Sequence, residues 1–520
     1  MKRRNAACLL MLAAVLLAVC AACGANSKST GDEPTPTDDD NDDASPSGDD
    51  DHDDDNDDQS PDDDDQSPDD DDDDDESLNC DVTHPDSTVG LISCLPGAYG
   101  GYTLFAPTVA DTVYLIDMLG RVVHTWLGGQ PPGLSVTLLE NGQLLRTGNV
   151  TNVDFRSGGQ AGMVMLQDWD GATPWTYTLS TRDVCTHHDA HMLPNGDILL
   201  IVWETKTVAE ATAAGRIPGD FPGGVIWPDY YIEIAPVGAG DAEVVWEWHS
   251  WDHLIQDYDP AQANYGDVGA HPELIDVNYG ELDTADWLHT NGIDYNAQFD
   301  EILVSVRNFS EVWVIDHGTT TAEAAGHSGG ARGHGGDLLY RWGNPTAYRQ
   351  TSPIEDFYGQ HNGQWIAPGL PGAGDILAFN NGYGRPAGAF STADECAPAV
   401  DADGNYPAAD PAYGPAGLNW TFVDTPPTAI YSEDMGGAQR LANGNTLICV
   451  GDMGVFLEVT AAGSVVWQYV NPVTEDGVMR QGERPGDGNM SFRAYRYPPD
   501  YPGLAGQNLT PGECLVAPCQ

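Results

Sequence analysis

Two kinds of apolar hairpin alternate along most of this chain, and no other feature limits its fold so tightly. The first kind is a strand, a tight turn and a second strand: "VTLLENGQLLRTG" (136–148), "AHMLPNGDILLIVW" (190–203), "IDYNAQFDEILVSV" (293–306), "WIAPGLPGAGDILAFN" (365–380) and "AQRLANGNTLICVG" (438–451). Asn-Gly at the turn of three of them is a strong hairpin signal. The second kind ends near an aromatic residue, as in "VYLIDMLGRVVHTW", "VMLQDWDGATPWTY", "YIEIAPVGAGDAEVVWEW", "VWVIDHGTTT…GDLLYRW" and "VFLEVTAAGSVVWQY". Alternating the two builds four-stranded units, repeated at the spacing of about 50 to 100 residues that marks an all-β propeller. Residues 383–437 leave room beyond the visible pairs, so the pattern predicts a six-bladed β-propeller, with seven blades the alternative count. Strand–helix alternation is missing, which excludes a parallel α/β sheet. In a propeller the innermost strands face one central channel, so polar residues at their mouths converge from distant sequence positions.

The hairpins occupy only part of the 520 residues. Residues 1–23 read as a lipoprotein-type signal peptide: Lys2, Arg3 and Arg4 precede the short apolar run "CLLMLAAVLLAV", and small residues lead to Cys23 with glycine after it. A lipid on Cys23 would anchor the protein to a membrane; a soluble secreted chain is the alternative. Residues 24–78 read as a disordered Asp-rich linker. Of the 81 acidic residues, 27 fall in residues 31–76, without a Lys or Arg among them, and they supply −27 of the net charge of −61. Such a tract cannot bury enough apolar surface to offset ordering and acts as a self-repelling spacer. Weak calcium binding is conceivable there, and structural calcium elsewhere, but this charge excludes nucleic acid as a natural partner. Residues 79–520 remain for the propeller. The expected location is outside the cytoplasm, in the periplasm or at the cell surface, as an outer-membrane lipoprotein.

An exported chain permits disulfides. Short separations pair Cys80 with Cys94 and Cys514 with Cys519, and the odd count leaves at least one buried thiol such as Cys185 or Cys449.

Three segments place histidine just ahead of a first-kind hairpin: "CTHHDAHMLPNG" with His187, His188 and His191, "WLHTNGIDY" with His289, and "FYGQHNGQW" with His361. Arg307 closes the hairpin that His289 opens. Any one histidine is ordinarily a hydrogen-bonded ring at a strand end. Three imidazoles converging with a guanidinium are another matter. Zinc, copper or iron would accept "HHDAH" as ligands, yet a fixed cation beside a divalent metal is unfavourable, so no metal is expected in the site. The same groups suit a tetrahedral oxyanion, with one imidazole nitrogen as nucleophile.

"HHDAHMLPNGDILL", "DWLHTNGIDYNAQFDEILVSVR", "YRWGNP", "FYGQHNGQW", "GDILAFNNG" and "GGAQRLANGNTLI", in this order, resemble the bacterial arylsulfotransferase (aryl-sulfate sulfotransferase) family across roughly residues 100–472. The resemblance implies a six-bladed propeller that transfers a sulfuryl group from a phenolic sulfate ester to a phenolic acceptor, without a nucleotide sulfate donor or other cofactor. It implies His361 as the nucleophile that becomes sulfohistidine, and Arg307 and His289 as the groups that neutralise the transferred oxygens. His188, taken ahead of His187, would hold those oxygens or protonate the leaving phenolate. His187, Asn291 and Asn362, in the same motifs, are expected to bind substrate. The loop "CAPAVDADGNYPAADPAYGPAGLNW" (396–420) is expected to lid the channel or merely decorate it. A surface-anchored propeller that binds glycans, sulfated ligands or proteins without turnover is the competing reading.

Overall fold

In four of the five first-kind hairpins the second strand is buried along its whole length: Ile198–Glu204, Glu301–Val306, Ile376–Asn380 and Thr446–Val450 have no exposed position. Such strands need sheet neighbours on both edges and side-chain neighbours on both faces, and radial blades provide all four. The computed structural model describes residues 80–516 apart from 220, 281–283, 351–355, 408, 411, 485 and 487. The leader and linker expected within residues 1–78, with Cys23, lie outside the described residues, as does Cys519.

Six antiparallel blades form the molecule. The second contains Pro132–Leu138, Leu144–Asn149, Gly162–Gln167 and Trp175–Thr178, and the third Val184–Met192, Ile198–Glu204, Asp229–Val237 and Asp241–His249. The fourth contains Thr290–Asn296, Glu301–Val306, Glu311–Asp316 and Tyr340–Trp342, and the fifth His361–Trp365, Ile376–Asn380, Thr392–Cys396 and Trp420–Phe422. Gly436–Arg440, Thr446–Val450, Val455–Val459 and Val465–Val470 make the sixth, widened by Gly90–Cys94 and Val82–Thr83 at its outer edge. The Cys80–Cys94 disulfide holds that extension as expected. Cys514 is also disulfide-bonded, and Cys185, Cys396 and Cys449 are buried free thiols.

One expectation is corrected, and of the two roles expected for 396–420 the lid is the one that fails. Residues 383–437 hold no extra blade but complete the fifth. The remaining blade joins both ends of the chain: Tyr102–Pro107, Thr112–Ile116 and Val122–Leu127 accept the C-terminal strand Ser491–Tyr497 as their innermost member. This closure leaves no inner strand edge open. The 396–420 segment does not lid the histidines either. It joins the third and fourth strands of the fifth blade, and its Tyr406 donates to Glu301 at the hairpin-turn end of the fourth blade, 3.0 Å away. Antiparallel geometry dictates this, since that connection emerges at the same end as the inner hairpin turn.

Candidate active site

The innermost strands are irregular where they enter the channel. Register shifts interrupt the pairing between Thr186 and Ala190, Thr290 and Gly292, and His361 and Gln364. His188, His289 and Asn362 at or beside these bulges have φ of 53°, 52° and 54°. A bulge with a left-handed residue costs about 1–3 kcal/mol but re-aims the neighbouring side chains, here toward the channel. His188 and His289 meet with ring centroids 4.6 Å apart. Phe492, from the C-terminal strand, lies 6.1 Å from His188 and 6.2 Å from His361 and bridges the two rings. The Arg307 amide donates to the His289 carbonyl at 3.4 Å, so the two ends of that hairpin are paired.

Hydrogen bonds define the face each ring presents. Asn381 donates its amide to the carbonyls of Ser432 (2.8 Å) and Met435 (3.0 Å), which turns its Oδ1 toward His361 Nδ1 at 2.8 Å. An amide oxygen only accepts, so Nδ1 carries the proton and Nε2 keeps a free lone pair. Burial, with Arg307 next in importance, pushes the His361 imidazole well below its usual range, so the neutral ring persists. His289 Nδ1 faces Asp286 Oδ2 at 2.6 Å, and Asp286 also accepts from Ser157 (2.6 Å) and Trp203 Nε1 (3.0 Å). Burial alone would raise the Asp286 carboxyl, but His289 and the hydrogen bonds outweigh it and hold it below the carboxylate range. His188 Nδ1 lies 2.8 Å from His187 Nδ1, while His187 Nε2 faces Asp229 at 3.4 Å. Two Nδ1 atoms meet in that pair, so one ring donates and the other accepts. Burial and then His289 push His188 well below the usual imidazole range.

Arg307 donates to its neighbour Asn308 (3.2 Å) and to Asp434 (3.0 Å), lies 5.1 Å from the centre of the Tyr383 ring, and has no partner for its buried Nε. Asp434 is 65% exposed, so this pair contributes little and leaves the guanidinium available to an incoming anion.

His188, His289, Arg307 and His361 thus converge. His187 stands behind His188, stacked on Trp203 at 3.9 Å. Asn291 donates to the Gln360 carbonyl at 2.8 Å and has an unpartnered Oδ1. Asn362 uses its Oδ1 to accept from Gln364 (2.9 Å) and Ala438 (3.2 Å), which ties the fifth blade to the sixth. His191 faces Asp294 at 3.4 Å, at the far end of the strand.

Several groups escape sequence reasoning. Arg493, on the closing strand, donates to Asp189 (2.7 Å) and to the Asn291 carbonyl (2.7 Å), and its buried Nε is unpartnered. Nothing in "NMSFRAYRY" announces it, because that strand lies outside the repeating hairpins. The Gly158–Gly159 turn covers the histidines: Gly159 accepts from the His188 amide at 2.7 Å, and a Cβ there, at φ +85°, would fall inside the His188 ring. Asn381 sits in the quoted "GDILAFNNG", where only its motif hinted at a role. Among the described residues, three metal-type donors come within 4.8 Å of one another only at His253, His327 and Asp337, away from the channel.

Several solved structures of low identity match most of the chain. A protein of unknown function from Bacteroides caccae is 12% identical, covers 76% of this chain and 98% of its own, with a TM-score of 0.40. The virginiamycin B lyase of Staphylococcus aureus is 11% identical over 76% of this chain and 88% of its own, with a TM-score of 0.34. The Swd1 β-propeller domain of Myceliophteria thermophila is 13% identical over 72% and 89%, with a TM-score of 0.30. No curated protein matches the chain. The model of the arylsulfotransferase (ASST) family matches residues 110–481, a span that holds all the channel histidines and Arg307. This chain therefore belongs to the arylsulfotransferase family.

Proposed function

We propose that the protein transfers a sulfuryl group from a phenolic sulfate ester to a phenol through a sulfohistidine at His361. The observation that carries this reading is the Asn381 contact, which leaves His361 Nε2 unprotonated among cations. In the first step Nε2 attacks sulfur, the N–S bond forms, and the S–O bond to the aryl group breaks with its electron pair on the phenolate oxygen. Arg307 and His289 offset charge on the transferred oxygens. His289, with Asp286 behind it, gives its Nε2 proton to the departing phenolate. Asn381 is neutral, so Nδ1 keeps its proton and the adduct is a zwitterionic N-sulfoimidazolium, from which neutral imidazole is a good leaving group. In the second step the acceptor phenol gives its proton to His289, its oxygen attacks sulfur, and the N–S electrons return to His361. His188, its ring centroid 4.6 Å from that of His289, borders the group that takes this proton. The pairing of fixed tautomers with fixed cations supplies this chemistry from side chains alone, and Cys23, lipidated after export, would hold the enzyme at a periplasmic or outer-membrane surface.

The test is a donor-only reaction with a chromogenic aryl sulfate. One burst of phenol per active site is expected, with the sulfuryl mass on the peptide containing "GQHNGQW" after an alkaline quench. His361→Ala abolishes burst and turnover. Label on "HHDAH" would move the nucleophile to His187 or His188. Binding of the ester without any phenol release would leave a propeller that binds sulfated ligands without turning them over.

A further inference from the structure

Where the loop after the outermost strand of the third blade meets the Gly-rich insertion of the fourth, three side chains point at one spot. His253 Nε2 faces the carbonyl of Ala324 at 2.8 Å, and because a carbonyl only accepts, that nitrogen carries the ring proton. The other ring nitrogen, Nδ1, faces Asp337 Oδ1 at 2.9 Å. His327 Nδ1 approaches the same oxygen at 2.7 Å. The three donor atoms all lie within 4.8 Å of one another, close enough to share one ion. The surroundings are those of a ligand set with its supporting shell in place. His253 is fully buried and stacks on Trp248 with ring centres 5.1 Å apart and planes 6° from parallel. Trp248 Nε1 donates to Gly336, and a Cβ on Gly336 would collide with the Ala324 carbonyl and come within 2.7 Å of His253 Nε2. An imidazole whose second nitrogen donates to a backbone carbonyl is the usual arrangement at a metal, because it fixes the ring and the tautomer. The other side opens to a cavity of about 580 Å³ that His327 and Asp337 line with His334 and Glu273.

We infer that His253, His327 and Asp337 form a binding site for a borderline divalent transition metal, with zinc the fitting ion and water from the cavity in the fourth position. Two imidazole nitrogens and one carboxylate oxygen are zinc ligands rather than calcium ligands, since calcium takes six or more oxygens. Tetrahedral zinc, with bonds of about 2.0–2.1 Å, needs ligand atoms roughly 3.3 Å apart, so each nitrogen–oxygen separation opens by about half an ångström on loading. The ion would clip the insertion (317–339) to the third blade, a structural role distinct from the channel chemistry.

The test uses the full chain, stripped with a chelator and titrated with Zn²⁺ by calorimetry, with Co²⁺ as spectroscopic stand-in. One saturable Zn²⁺ site is expected, with a raised Tm on loading and the strong visible bands of tetrahedral Co²⁺. Ions collected by the Asp-rich tract meet oxygen ligands and give only weak bands. His327→Ala, at an exposed ring, and Asp337→Asn, which keeps the size and shape of a buried side chain, should each weaken the site at least tenfold and remove the bands, while aryl-sulfate turnover stays unchanged. Zn²⁺ isotherms and Co²⁺ spectra identical in wild type and both variants, or no saturable site at all, would overturn the assignment.

Discussion

Burial and the Arg307 cation together keep the His361 ring neutral, so its pH behaviour can be worked out in sign. The lone pair stays available as pH falls through the ordinary imidazole value of about 6.5, and the acid limb of donor kcat/KM attributable to the nucleophile is expected below it. An acid limb centred on an ordinary imidazole would assign it to another group. Stability moves the opposite way. The unfolded chain protonates His361 and His188 below about pH 6.5 while the folded chain does not, so their burial destabilises the fold as pH drops through that value. Asn381→Ala removes the group that fixes the His361 tautomer, and we expect the burst rate to fall roughly tenfold to a hundredfold. Arg307→Lys keeps the charge but loses the two-pronged grip, slowing transfer by about a hundredfold or more in single-turnover assays, with His361 still labelled. Of these residues His361, His289 and Arg307 were legible in the sequence, because each sits at a fixed place relative to a repeating hairpin. Asn381, Asp286 and Arg493 carry no such mark.

Between elements, His317 joins two blades. It follows the third strand of the fourth blade, meets Asp300 at the inner turn of that blade at 2.6 Å, and meets Glu233 of the third blade at 3.0 Å. Burial alone would lower its imidazole, but the hydrogen bonds to Asp300 and Glu233 raise it to about 9. A raised folded value means the contribution is complete below about pH 6.5 and is lost as pH rises through about 9. It is at most about 3 kcal/mol, less because Asp300 is half exposed. Chemical denaturation at pH 6 and pH 9.5 should show this loss in the wild type and a flatter profile in His317→Gln; equal slopes would remove His317 from the blade junction. The hairpins themselves were readable because period and turn chemistry are local. The contact of His317 with Glu233 joins residues 84 apart, which no local pattern encodes.

At the scale of the whole molecule, closure rests on Ser491–Tyr497 pairing with Tyr102–Pro107. A chain ending at residue 488 would lose that strand together with Phe492 and Arg493, leaving an open inner edge. It is expected to aggregate or to lose cooperative unfolding, and a peptide of residues 489–520 added in trans should restore part of the signal. Removing residues 1–78 should instead leave melting and turnover unchanged, because the hairpins begin after that segment; a lost thermal transition would show that the leader or linker contributes to the fold. The contrast marks what each level of description decides. Apolar runs, Asn-Gly turns and the histidines before them determined by themselves that the chain makes four-stranded antiparallel units with imidazoles at their mouths, since these are near-neighbour effects of backbone geometry and side-chain burial. Only the closed ring decided the blade count, because the first blade is completed by the C-terminal strand. It also decided which of His187 and His188 faces the channel, and that Asn381, Asp286 and Arg493 set the protons and charges around them, because burial and hydrogen-bond partners exist only once distant strands have met.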